Sequence, residues 1–244
     1  MSKKVRLLSL LMRSGEFKRT AEAEEAVREG RVAIDGKPAT NPQHSVKAMA
    51  VISIGGRELK PAAFVYAILN KQKGMVCQKT DREKSVYDVI ASITEIDAKT
   101  RKSLFCVGRL DKDTEGLLIV TNDGRLEKLL TRKENRIIKT YAVTTAGPVT
   151  DDDVETLRKG VQITDDDTNR AFLVKAAAIR KLGEKQIEMD IDEGRKRQIK
   201  KMLEAVGNSV VSLRRVAIDS LRLEDLDFKG KPYLIVKRSD LEIR

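Results

Sequence analysis

The chain has 244 residues, 41% hydrophobic and 35% charged, enough apolar side chain for one large domain or a medium domain plus a small one. Lysine and arginine outnumber aspartate and glutamate by 48 to 37, a formal charge of +11 that favours a polyanionic partner such as nucleic acid, although a generally basic soluble protein would carry it equally well. No apolar run is long enough for a membrane helix, and His44, the only histidine, argues against a Ser-His-Asp triad or a His-rich metal site.

From the N-terminus, Leu7, Leu8, Leu10 and Leu11 form a helical stripe that stops near Gly15. The run is short, is interrupted by Ser9 and is followed by Arg13, so it reads as an amphipathic helix and not as a secretory signal. Thr20 is placed to cap a second helix, Ala21 to Glu29, with Gly30 at its end. Val32 and Ile34 alternate into Asp35-Gly36, a hairpin signal, and Val51 to Ile54 forms a closing strand before Gly55-Gly56. Residues 1–60 therefore read as a separate small domain, with basic residues ahead of acidic ones by 12 to 7. Pro61-Ala62-Ala63 is a short linker, and 61–244 makes the second domain, of mixed helix and strand pattern.

In that second domain, Val65 to Leu69 is a strand ending in Asn70-Lys71-Gln72-Lys73-Gly74. Lys84 to Ile93 and Leu126 to Leu130 read as helices, and Thr140 to Thr145 as a strand. Thr150 is a good N-cap, and Asp151, Asp152 and Asp153 suit a first helical turn, where carboxylates meet the positive end of the macrodipole. Asp165-Asp166-Asp167 reads as a turn, because the alternate spacing of a calcium loop is missing. Ile199, Met202, Leu203 and Val206 give a helix beginning near Arg197 and ending by Gly207, and Tyr233 to Lys237 is a final strand. Cys77 and Cys106 have no CxxC partner and read as small core hydrophobes in a reducing compartment.

Residues 108–117 read Gly-Arg-Leu-Asp-Lys-Asp-Thr-Glu-Gly-Leu, between apolar strands at Leu104 to Val107 and Leu117 to Val120. A strand–turn–strand presents one reactive side chain, here Asp111, on a rigid platform; a polar hairpin with a charged tip is the plainer reading. The block resembles the signature of RNA pseudouridine synthases. The run Glu193-Gly194-Arg195-Lys196-Arg197-Gln198-Ile199-Lys200-Lys201-Met202 resembles the RsuA branch, which modifies ribosomal RNA. Gly30-Arg31-Val32 before Asp35-Gly36-Lys37, within helix, helix and small sheet, resembles the alpha-L RNA-binding motif. Three departures stand out: Gln72 replaces a usual proline, Leu8-Ser9 replaces an Asp-Lys pair, and Lys18-Arg19-Thr20 replaces Ser-Arg-Arg.

The resemblance implies an α+β fold, with a mixed, mostly antiparallel central sheet flanked by helices behind an alpha-L domain. It implies an isomerase that converts a uridine of ribosomal RNA to pseudouridine after the base leaves its stack. Asp111 would be the nucleophile, Tyr141 the aromatic face against the base, and Lys200 the cation paired with Asp111. Arg109 would help hold that charge, or act as a wedge or phosphate contact. Lys18, Arg19, Arg31, Arg195, Arg197, Lys201 and Arg215 are candidate RNA contacts. No metal, cofactor or nucleotide is required; ribosomal RNA is the expected partner, with a monomeric, cytoplasmic enzyme and no membrane. A non-catalytic RNA-binding assembly factor on the same scaffold is the alternative. Asp111 and Asp113 could also pair as in a glycosidase, but aromatics at 4% argue against a sugar-binding surface.

Overall fold

The protein is described here by a computed structural model covering residues 4–17, 19–47, 49–241 and 243. The chain divides into two compact units. The first takes in the N-terminal 65 residues together with Ile90–Phe105 and Thr121–Gly124, and the second takes in the remainder.

In the first unit the helices Leu7–Arg13 and Thr20–Arg28 are followed by short strands. Lys4–Arg6 pairs antiparallel with Ser45–Lys47, and a four-stranded sheet runs in the order Lys37–Pro38, Val32–Ile34, Ile52–Ile54, Arg57–Glu58. The leucine stripe does what its spacing demands: Leu7, Leu10 and Leu11 bury against Ala23, Ala26, Val27, Val32 and Ile52. Each such leucine contributes about 1.5–3 kcal/mol through burial. Asp35 and Gly36 both take positive φ, 47° and 79°, the primed two-residue turn that matches strand twist. The second helix starts one residue earlier than Thr20 as cap allows. Arg19 holds the N-cap position, its backbone N–H donating to Glu22 Oε2 at 3.3 Å and its Nε to Glu22 Oε1 at 2.7 Å.

The second unit is built on a mixed sheet whose main path runs Ala178–Gly183, Gln186–Ile191, Lys139–Thr145, Val210–Ile218, Glu115–Thr121, Tyr66–Lys71, Tyr233–Val236. The first three junctions and the last are antiparallel, while Val210–Ile218 runs parallel to Glu115–Thr121. Leu117 to Val120 are fully buried, so this central strand is an uninterrupted apolar run and not an alternating one. Gly116 is required where that strand begins. Its φ is +101°, and an added Cβ would lie 2.2 Å from the carbonyl oxygen of Arg215 on the adjacent strand. The helices Val86–Ala91, Gly124–Thr131, Asp151–Lys159 and Gln198–Ala205 accompany the sheet. Thr150 caps the third of these as its sequence suggests, its hydroxyl accepting from Asp153 N–H at 3.1 Å. A separate hairpin, Val161–Thr164 with Ala171–Val174, has Asp165 to Asp167 at its tip, where Asp165 Oδ1 accepts from the N–H groups of Asp167 and Thr168.

Candidate active site

The Gly108–Gly116 turn receives a set of hydrogen bonds on its backbone, beside ion pairs from Lys112 to Glu83 and from Asp111 and Asp113 to Lys200. Thr114 N–H closes it onto the Asp111 carbonyl at 3.1 Å. From the end of the neighbouring strand, Lys71 reaches beneath it. Its Nζ donates to the carbonyls of Thr114 (2.7 Å), Asp111 (3.1 Å), Gln72 (3.2 Å) and Lys112 (3.3 Å). Gly74 N–H adds a 2.7 Å bond to the Lys112 carbonyl, and Leu110 N–H donates to Cys77 Sγ at 3.4 Å. Lys71 is 2% exposed. Burial pulls its pKa down, and the negative charge of Cys77, Asp113, Glu115 and Asp111 opposes that pull. It is a residue of this cluster that the sequence reading passes over, although the Asn70–Gly74 segment that carries it is plainly visible there.

The clamped turn leaves the Asp111 side chain free to face an open cleft of about 460 Å³, counting its mouth. Tyr141, Arg109, Arg195 and Arg197 line the same cleft. Tyr141 lies on the Lys139–Thr145 strand beside a β-bulge at Thr140/Tyr141, and its side chain is largely buried. Lys200, on the Gln198–Ala205 helix and 6% exposed, faces two carboxylates. Its Nζ is 3.5 Å from Asp111 Oδ2 but 2.5 Å from Asp113 Oδ1. The expected cation is therefore present beside Asp111, yet its closer partner is Asp113. Burial pushes the Asp113 carboxyl up, the hydrogen bond and charge of Lys200 pull it down, and the net value lies below the usual carboxylate range.

Arg197 begins the helix with φ +54°, a left-handed conformation that a side chain adopts at a cost of about 1–3 kcal/mol and that clusters at functional sites. Gln198 supports the segment from below. Its amide accepts from Arg195 N–H at 3.0 Å and donates to Glu193 Oε1 at 3.1 Å.

The other candidate RNA contacts meet different fates. Arg215 is a correction: it is 4% exposed, inside the Val210–Ile218 strand, with Nε donating to the Leu117 carbonyl at 2.7 Å, so it is not a surface phosphate contact. Lys201 is also drawn inward, to the Thr164 carbonyl (2.5 Å) and Asp166 (2.7 Å). Lys196 pairs with Asp167 at 2.7 Å, and Arg195 stacks over the Phe172 ring at 3.6 Å. Arg19 and Arg31 are surface residues of the first unit, paired with Glu22 and Glu29. Lys18 lies outside the described residues.

Comparison with known proteins gives this arrangement its context. Residues 65–205 match the RNA pseudouridylate synthase family, and residues 5–52 match the S4 domain. An uncharacterised RNA pseudouridine synthase of Aquifex aeolicus is 34% identical over 84% of this chain and 82% of its own length. The ribosomal small subunit pseudouridine synthase A of Escherichia coli K12 is 33% identical over 84% of this chain and 85% of its own. A crystal structure of a pseudouridylate synthase superposes with a TM-score of 0.65 at 28% identity, covering 98% of both chains. With an S4 domain ahead of a synthase domain and relatives aligned along most of its length, the chain belongs to the RNA pseudouridine synthases of the RsuA type.

Proposed function

We propose that this enzyme isomerises one uridine of ribosomal RNA, with Asp111 as nucleophile. The observation that carries the reading is the Asp111 carboxylate itself: it stands on a backbone clamped by Lys71 and faces a cleft shared with Tyr141, with Lys200 within 3.5 Å. The ribosomal substrate follows from the name of the Escherichia coli relative. Residues 1–60 serve as the RNA-binding module and 61–244 as the catalytic domain of a cytoplasmic, monomeric enzyme; no helix among the described residues is long and apolar enough to cross a membrane.

The target base leaves its stack and enters the cleft against the Tyr141 ring, a contact worth about 1–3 kcal/mol. An Asp111 oxygen then forms a bond to carbon, either ribose C1′ or ring C6. Along the first route the electrons of the C1′–N1 bond depart with uracil N1, and the ring turns until C5 faces C1′. The C5–C1′ bond forms as the aspartyl–C1′ bond breaks, C5 loses its proton and N1 takes one up. Lys200 offsets the carboxylate charge that this sequence uses and regenerates, while Arg109 and Arg197 provide positive charge at the cleft for phosphates.

The test is to incubate ribosomal RNA with the wild-type enzyme and with Asp111→Ala, then map pseudouridine. One new pseudouridine from wild type, none from the variant, and similar RNA affinity for both is the expected result. Loss of RNA binding in the variant would mean that Asp111 supports structure and not chemistry.

A further inference from the structure

One arginine of the Glu193–Lys201 segment keeps its donors, while the lysines around it give theirs to carboxylates. Lys196 meets Asp167 at 2.7 Å, Lys200 meets Asp113, and Lys201 meets Asp166 at 2.7 Å and the Thr164 carbonyl at 2.5 Å. Arg195 lines the cleft, and its Nε is buried without a hydrogen bond, 3.3 Å from Glu193 Oε2. That carboxylate is shared, because Lys133 reaches the same oxygen at 3.2 Å and the Gln198 amide donates to the other at 3.1 Å. Among the described residues, neither Nη nitrogen of Arg195 has an ion pair or a hydrogen bond.

What holds Arg195 is a ring. Its guanidinium carbon sits 3.6 Å from the centroid of Phe172, which itself stands outside the cleft lining. Phe172 belongs to the hairpin of Val161–Thr164 with Ala171–Val174, opposite Ile163 in the ladder. That hairpin is a two-stranded sheet of its own, and an isolated pair of strands is marginal in water. Three links tie it to the segment that carries Arg195: Phe172 with Arg195, Asp167 with Lys196, and Thr164 and Asp166 with Lys201. A carboxylate would fix a guanidinium by occupying its N–H groups. An aromatic face fixes its plane and leaves those groups in place, as the planar fork that suits two oxygens of a phosphate.

We propose that Phe172 is a positioning residue, whose ring holds the Arg195 guanidinium at the cleft wall as a two-donor fork for a phosphate of the substrate RNA. The inference rests on the reading that RNA enters this cleft. Phe172 does not meet the RNA; it acts through Arg195. A contact from Arg195 to a phosphate forms when the RNA binds and persists through the chemistry, so it strengthens the bound state and the transition state alike. Its loss therefore shows in Kd and KM and not in kcat. Without the ring the guanidinium keeps its charge but regains its rotamers, and the fork is no longer presented in one plane. The hairpin thus has a use beyond covering the helix: it lends the cleft one arginine whose donors no carboxylate takes.

The experiment is a double-mutant cycle on the full-length protein: wild type, Phe172→Leu, Arg195→Ala and the two combined, with Phe172→Tyr as the conservative variant. Affinity for ribosomal RNA is measured across a salt series, and pseudouridine formation gives kcat and KM. Arg195→Ala should weaken binding and lower the slope of log K against log salt by about 1, the mark of one lost phosphate contact. Phe172→Leu should raise Kd and KM about three- to tenfold with kcat within about twofold, and Phe172→Tyr should restore both. In the Arg195→Ala background, Phe172→Leu should add less than about twofold, because the ring then has nothing to hold. Equal losses in both backgrounds would make the ring a mere support for the hairpin and overturn the proposal. Wild-type affinity in Phe172→Leu, or no recovery in Phe172→Tyr, would overturn it as well. Phe172→Ile takes the place of the leucine variant if thermal melting shows that the latter does not fold. Wild type that binds ribosomal RNA without modifying it would count against the isomerisation alone. The pair is then decided by affinity and salt slope, which need no chemistry.

Discussion

Two charged segments meet at the cleft, and they are held in opposite ways. The Gly108–Gly116 turn is held by its backbone: Lys71, Gly74 and Thr114 bind its carbonyls, and Cys77 receives the Leu110 N–H. Its reactive side chain faces the cleft, with Lys200 at 3.5 Å. The Glu193–Lys201 segment is held largely by its side chains, because Lys196, Lys200 and Lys201 each meet a carboxylate and Arg195 lies over Phe172. A backbone clamp can orient one carboxylate precisely enough for chemistry without touching it. Side-chain pairing builds a wall, but it gives carboxylate partners to the very charges that would meet RNA.

The sharpest way to break this comparison is to remove the backbone clamp. Lys71→Met keeps the length and apolar stem of the side chain but leaves up to four carbonyls short of a donor. One orphaned buried acceptor costs about 1–3 kcal/mol, and relief of the buried ammonium offsets part of that, so the net loss in stability should be about 1–3 kcal/mol. The turn should loosen, and kcat should fall on the order of 100-fold while RNA affinity changes little. Thermal melting and single-turnover kinetics check both. An unchanged kcat would show that the Lys71 bonds are dispensable.

A smaller effect is expected at Asp113, which shares Lys200 with Asp111. Asp113→Asn removes the nearer anion, and Lys200 should close onto Asp111 and occupy the carboxylate needed for attack. A fall in kcat of roughly tenfold, with KM nearly unchanged, is the expected result; each factor of ten corresponds to about 1.4 kcal/mol. The pH dependence has a definite sign. A carboxyl whose folded pKa is lowered adds stability above its unfolded value and loses that stability as pH falls through the folded value. Wild type should therefore lose stability on acidification through and below the ordinary carboxylate range, and Asp113→Asn should flatten that decline. Because the Asp113 side chain is 52% exposed, solvent screening keeps the difference small.

What the sequence reveals follows the same division. Local signals are legible: the leucine stripe, the Asp35-Gly36 and Gly55-Gly56 turns, the Thr150 cap and the buried run Leu117 to Val120 all form as their residues dictate. Gln186–Ile191 is a strand whose alternation, with Ile187, Met189 and Ile191 buried, stands in plain view and still goes unread. Its neighbour Ala178–Gly183 buries only Ile179, so it carries almost no period to read. At the proposed site, motif spacing singles out Asp111, Tyr141 and Lys200, and the fold brings them together: Asp111 and Tyr141 line one cleft and Lys200 lies within 3.5 Å of Asp111. Pairing across long separations is not legible. Nothing local tells that Lys71 reaches Thr114, that Lys200 prefers Asp113, that Arg215 turns inward, or that Cys77 receives the Leu110 N–H.

The smallest effect tests the side-chain half of the comparison. Asp166 and Asp167 hold Lys201 and Lys196 in pairs whose carboxylates are largely solvent-exposed, and such pairs are worth about 0.2–1 kcal/mol each. Double substitution Asp166→Asn and Asp167→Asn should release both cations without unfolding the hairpin, because the Val161–Thr164 and Ala171–Val174 ladder and the Asp165 turn remain. If RNA phosphates can use the released charges, affinity should rise by roughly two- to fivefold, and the dependence of log K on log salt should steepen by about 1–2. Filter binding across a salt series measures both quantities. Unchanged affinity and slope would assign Lys196 and Lys201 to the scaffold outright, because the wall would then hold its charges for itself even when their acidic partners are gone.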